Sequence, residues 1–213
     1  MTAQAGGTRL RADARRNRDQ ILATAKAMFA EHGPDVPMEE IARRAGVGVG
    51  TLYRRFPDRE ALIRAVAQQG FGAVLEAARR AVAEEDTGWA ALTRLVASTR
   101  ELKLTLHLAF FSPTAWEIMR DDPTAGRFRE ELMDLLESIV NTAQREGSLR
   151  EDVGVGDIAL LVAMLLRGIT GAASEVADRA TERAMALILD GLRTGAGAHL
   201  PGTPITRADI DAR

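Results

Sequence analysis

Apolar residues recur at helical spacing along most of this chain. Ile21, Leu22, Ala25, Met28 and Phe29 follow the i, i+1, i+4, i+7, i+8 pattern of one buried face. This predicts a helix from about Asn17 to His32, stopped by Gly33-Pro34. A second helix is expected to begin near Pro37, a residue suited to a first helical turn, with Glu39 and Glu40 at the positive end of its dipole. A third, very short one spans about Val49 to Arg54. Phe56-Pro57-Asp58 then breaks the chain, and Asp58 is placed to cap a fourth helix. Leu62, Val66, Val74 and Leu75 mark its apolar face, and Gly70 and Gly72 are weak points within it. Further helices are expected from about Thr87 toward Phe111, Ala125 to Glu146, Asp157 to Ala177 and Ala180 to Thr194. The glycine- and arginine-bearing start and the stretch from Gly195 read as irregular. Alternation of the strand type is almost absent, so the fold class is all-α.

The segment PMEEIARRAGVGVGTLYRRFPDREAL, residues 37–62, has the layout of helix, glycine turn, short helix and start of a third. Ala42 stands where two helices would cross and only a small side chain fits. Gly46 follows at the turn, where the backbone needs a positive φ. Leu52 is spaced to pack the second helix onto the first. A two-helix unit of this kind lays its second helix in the major groove of DNA.

The run AGVGVGTLYRRFPDREAL resembles the DNA-binding signature of the tetracycline-repressor (TetR) family of bacterial transcriptional regulators. Gly50-Thr51-Leu52-Tyr53, the basic pair, Phe56 and Arg59 make the match specific. The resemblance covers about the first third of the chain. It implies a flexible basic arm over 1–14, an N-terminal three-helix helix-turn-helix DNA-binding domain over 15–62, a C-terminal helical ligand-binding and dimerisation domain over 63–194, and an irregular tail over 195–213. It also implies a homodimeric repressor that a small, largely apolar ligand releases from its operator. An activator, or a regulator without an effector, fits the same signature.

Chemistry and resemblance together select the residues that would meet double-stranded DNA. Tyr53 matches the family's phosphate-binding tyrosine, Arg55 a basic phosphate contact, and Arg59 a basic residue that grips the backbone from the start of the fourth helix. Thr51 can hydrogen-bond a phosphate or a base edge. Val49 offers only an apolar side chain, suited to a thymine methyl. Arg54 suits either a bidentate contact to guanine or a further phosphate contact. Gly48 and Gly50 are poor helix formers; they are either turn residues or bare surface that lets the backbone approach DNA. Arg15, Arg16 and Arg44 complete the set. Where many family members carry Ser or Thr at the start of the second helix, Val36-Pro37-Met38 offers no hydroxyl.

Charge changes this picture little. The net charge is -2. Residues 1–60 carry 11 Lys/Arg against 8 Asp/Glu, and the remainder carries 17 against 22. A modestly basic first segment on an acidic remainder suits a protein that meets phosphate at one end.

In the body, His107, Phe111, Trp116 and Phe128 are the group expected to line a ligand chamber. The last two long helices, from Asp157 to Thr194, are expected to form the dimer. Ile158, Leu161, Leu165 and Ile169 supply one stripe and Leu187, Ile188 and Leu192 a second, with Gly168, Gly171 and Ala172 permitting close approach. No enzyme is expected: there is no cysteine, only 3 His, no metal-ligand spacing and no phosphate loop. The sequence calls for no cofactor and no metal. No apolar run approaches the ~18 residues of a spanning helix, and no apolar signal core opens the chain. A cytoplasmic location follows as the expectation.

Overall fold

The computed structural model describes residues 3–98, 113–167, 175–195 and 197–211, with the side chains of all these but 3–12, 30, 113–116, 166–167, 175–178 and 211. The described residues are helical with turns and a single isolated β-bridge. The helices are α1 (Ala3–His32), α2 (Met38–Arg44), α3 (Val49–Arg55), α4 (Arg59–Glu84), α5 (88–98), α6 (Pro113–Arg120), α7 (Pro123–Arg145), α8 (Val155–Arg167), α9 (Glu175–Leu192) and α10 (Arg207–Asp211). They fall into two compact units. One holds the described residues up to Gln69 together with 113–122; the other holds the rest. The first unit therefore reaches beyond residue 62 and takes in α6.

α1 begins at Ala3, earlier than the expected start at Asn17, so the anticipated arm is helical backbone. Alanine and arginine, both good helix formers, offset the Gly6-Gly7 pair there. Farther along, Ile21, Leu22, Ala25, Met28 and Phe29 are all buried, and they pack the head with Ile41, Ala42, Leu52, Phe56, Leu62 and Ile63. Asp58 caps α4 by accepting a hydrogen bond from the Ala61 amide at 2.7 Å. α4 runs unbroken through Gly70 and Gly72. α6 is tied to α4 at its end, where Arg64 and Gln68 reach the Asp122 carboxylate at 3.2 and 3.4 Å.

In the second unit, Ala78, Ala81, Leu92, Val96, Leu136, Ile139, Val140, Leu149, Val153, Ile158, Met185 and Leu192 form one core drawn from α4, α5, α7, α8, α9 and the loop before α8. Two residues assigned to a dimer stripe, Ile158 and Leu192, are core residues here, exposed by only 2% and 4%. The helical spacing of apolar positions marks buried faces on α8 and α9; it does not mark which stripe the monomer uses.

Among the described residues, the stretch after Gly195 is irregular up to α10, as expected, and it is docked as a strap. Backbone groups near Ile205 and the start of α8 bind each other: the Gly156 amide donates to the Ile205 carbonyl at 2.9 Å. The Asp157 carboxylate accepts from the Gly154 and Ile205 amides at 2.8 and 3.0 Å. A Cβ on Gly154 would lie 2.2 Å from the Ile205 carbonyl oxygen, and one on Gly156 would lie 2.7 Å from it. Both glycines are there because the strap passes against their backbone. Asp152 adds a second clasp. It accepts from Arg150 at 2.5 and 2.8 Å and from the Leu200 amide at 2.9 Å, and His199 stands 3.3 Å away. Arg150 also donates to the Ala198 carbonyl at 2.7 Å. Arg207 pairs with Asp134 of α7.

Candidate nucleic-acid interface

The head is built around the turn between α2 and α3. Ala42 and Leu52 are both fully buried, so the two helices cross on a methyl group. α2 ends in a Schellman motif: the Val47 amide donates to Ala42 at 3.0 Å and the Gly46 amide to Arg43 at 3.2 Å. Gly46 has φ +66°, the left-handed conformation expected at this position. α3 starts from Gly48, whose carbonyl accepts from the Thr51 and Leu52 amides at 2.8 and 3.1 Å. No side chain caps α2 or α3, in agreement with the absence of a hydroxyl at Val36-Pro37-Met38.

α3 buries Leu52 and turns the rest outward. Gly48, Val49, Gly50, Tyr53, Arg54 and Arg55 are exposed and Thr51 is half-buried. Val49 is 41% exposed and Tyr53 40%. Neither Gly48 nor Gly50 has a positive φ. A Cβ on Gly50 would meet nothing within 4 Å, and one on Gly48 would make only an ordinary 3.8 Å contact with Thr51. Packing inside the head therefore does not require these two glycines, although Gly50 weakens the helix.

The candidate DNA-binding side chains differ in what holds them. Arg54 donates to the Thr51 hydroxyl at 3.2 Å, one turn back along α3. Arg44 lies in an ion pair with Glu31, at 3.0 and 3.4 Å. Tyr53 donates its hydroxyl to Glu39 of α2 at 3.1 Å, and this hydrogen bond pushes the phenol above its ordinary pKa. Arg55 and Arg15 are exposed, and Arg16 is exposed beside Asp13. Arg59, expected to grip the DNA backbone, makes contacts within the head itself. Its half-buried guanidinium donates to the Pro34 carbonyl at 2.9 Å and to the Val36 carbonyl, tying the start of α4 to the α1–α2 loop. A further basic residue, Arg18, lies 5.9 Å over the Phe56 ring, inside the reach of a cation–π contact.

Sequence reasoning passed over Glu31 and Glu39 as partners of Arg44 and Tyr53. No local spacing marks those pairs, which join residues 13 and 14 apart on different helices. Of the expected chamber residues, Phe128 is half-buried and stacks on Phe71 with ring centroids 6.0 Å apart. His107, Phe111 and the side chain of Trp116 lie outside the described residues.

A buried Ala–Leu crossing, a left-handed glycine turn and a short helix with its polar face outward define a helix-turn-helix transcriptional regulator. The chain belongs to the TetR family. Residues 21–66 match the model for bacterial regulatory proteins of the tetR family, and residues 89–194 match the C-terminal domain of SbtR-like transcriptional regulators. A TetR transcription regulatory protein of Mycobacterium vanbaalenii is 32% identical, over 86% of this chain and 99% of that one, with a TM-score of 0.60. The TetR regulator SCO0520 of Streptomyces coelicolor is 30% identical over 84% and 99%, with a TM-score of 0.63. LfrR of Mycobacterium smegmatis, solved in complex with proflavine, is 26% identical over 87% and 99%, also at 0.63. Among curated relatives, an HTH-type transcriptional regulator of Staphylococcus aureus is 41% identical over 61 residues, 28% of this chain. The chain matches about a third of the length of that relative, 33%. No helix among the described residues is long and apolar enough to cross a membrane.

Proposed function

We propose that this regulator is a homodimeric repressor that binds an operator through α3 and is released from it by a small, largely apolar ligand. The observation that carries the reading is the outward face of α3, where Val49, Tyr53, Arg54 and Arg55 stand exposed on a helix whose packing needs neither Gly50 nor its cap residue Gly48. In this reading Val49 and Arg54 meet base edges, Thr51, Tyr53, Arg55, Arg15 and Arg16 meet phosphates, and Gly48 and Gly50 let the backbone approach closely. Arg44 joins them by giving up Glu31. Arg59 acts by holding the head's loop in shape as well as through its charge.

The dimer reading rests on exposed apolar side chains of α8 and α9. Leu187 is 71% exposed, Met164 69% and Leu161 37%, with Leu165 and Ile188 half-buried. A second copy related by a two-fold axis would cover them and set two heads on two half-sites. α4 begins in the first unit and ends in the second, which makes it the connection through which a ligand could change head spacing. Effector and DNA would then weaken each other's binding by the same factor. LfrR's complex with proflavine makes that planar compound the first probe.

In vitro transcription from the promoter next to the protein's own gene tests this reading. Loss of transcript on adding protein, restored by an apolar compound that also releases the DNA, is the expected result. A rise in transcript would mean an activator.

A further inference from the structure

Tyr53 and Glu39 belong to different helices of the head and meet at its surface, hydroxyl to carboxylate at 3.1 Å. A phenol carries one proton and donates one hydrogen bond at a time. A carboxylate and a phosphate are both anionic acceptors and compete for the same proton. Glu39 sits in the first turn of α2, where the helix dipole steadies a negative charge. A phosphate close enough to take the Tyr53 hydroxyl would also lie a few ångströms from that carboxylate, and the two anions repel. The pattern recurs nearby. Arg44, at the far end of α2, is held by the Glu31 carboxylate through two contacts. Two groups on the candidate face are thus each held by an acid of the head itself.

We propose that Glu39 is a built-in competitor of DNA: in the free protein it stands where a phosphate oxygen would stand on Tyr53, and it lowers affinity for duplexes of every sequence. This rests on the reading of Tyr53 as a phosphate contact. Because phosphate contacts carry no sequence information, Glu39 sets the general strength of binding and leaves the choice of operator to α3.

The chain has a single tyrosine, so ultraviolet titration of the phenol reports Tyr53 alone. Both side chains are exposed, and their replacement leaves the core untouched. The experiment uses four full-length proteins: the parent, Glu39→Ala, Tyr53→Phe and the double variant. Their binding to one scrambled duplex is measured at low salt, alongside titration of the phenol in the two that keep it. With Tyr53 present, Glu39→Ala should tighten binding about tenfold and lower the pKa of the tyrosine. In the Tyr53→Phe background the gain should fall to about threefold or less, the part due to repulsion alone.

Four results would overturn the proposal. An unshifted tyrosine titration in Glu39→Ala means the contact is not made in solution. Equal gains in both backgrounds mean that Glu39 repels DNA without acting on Tyr53. Weaker binding in Glu39→Ala means that Glu39 positions the phenol for DNA. If Tyr53→Phe changes nothing in the Glu39→Ala protein, the reading of Tyr53 as a phosphate contact fails with it; if it weakens binding there, that reading stands whatever becomes of Glu39.

Discussion

Gly46 and Arg59 shape the head by different means. Gly46 holds a backbone conformation that an L side chain disfavours, with open space around it. Gly46→Ala should therefore cost about 1 kcal/mol through φ alone, and Gly46→Asn less. Thermal melting of the two variants checks the order; equal losses would point to packing instead. Arg59 binds two main-chain carbonyls of a loop more than twenty residues away. Arg59→Ala should lower stability by about 1–3 kcal/mol and weaken DNA binding at the same time. A variant that binds DNA poorly at unchanged melting temperature would return Arg59 to a pure phosphate contact. The contrast also explains what could be read from the sequence. Ala42, Gly46 and Leu52 obey local rules of size, φ and spacing, so their roles were legible. The partners of Arg59 are backbone oxygens and those of Tyr53 and Arg44 are acids on other helices, and no local pattern encodes such pairs.

At the level of elements, proline, glycine and the Asp58 cap marked α2, α3 and the start of α4, α9 begins at Glu175, five residues before its expected start, and apolar periodicity placed α7 within two residues at each end. It said nothing of the C-terminal strap, whose anchors are backbone amides and two carboxylates. The available signal was Gly154-Val155-Gly156-Asp157, two glycines beside a helix start with no turn to explain them. Ending the chain after Thr194 should lower the melting temperature of the second unit. Gly156→Val should do the same in the full chain, since its Cβ would meet the Ile205 carbonyl. If Gly156→Val melts like the parent, the strap is not held there in solution. Asp152 gives this clasp a pH dependence of known sign. Arg150 first, and then the Leu200 amide, hold its carboxyl well below the ordinary carboxylate range. A depressed folded-state pKa means the contribution is fully present above the unfolded value of about 3.9 and is lost as pH falls below it. The difference in stability between the parent and Asp152→Asn should therefore stay constant from neutral pH to about pH 5 and shrink only in stronger acid. A difference that already shrinks between pH 7 and pH 5 would contradict the assignment.

For the molecule as a whole, the proposed two-fold interface through the exposed Leu187 and Met164 side chains would tie operator binding to assembly. Leu187→Glu would place a charge in the proposed two-fold interface and should yield monomers by sedimentation, with operator affinity falling at least ~100-fold because one head holds only one half-site. A Leu187→Glu protein that remains dimeric would move the interface elsewhere. If α3 reads a specific sequence, the affinity for DNA flanking the protein's own gene will differ from that for a scrambled duplex of equal length, measured over a series of salt concentrations. Both affinities should fall as salt rises, with the flanking DNA bound at least ~1,000-fold more tightly at physiological salt. Equal affinity for the two duplexes at every salt concentration would contradict that reading.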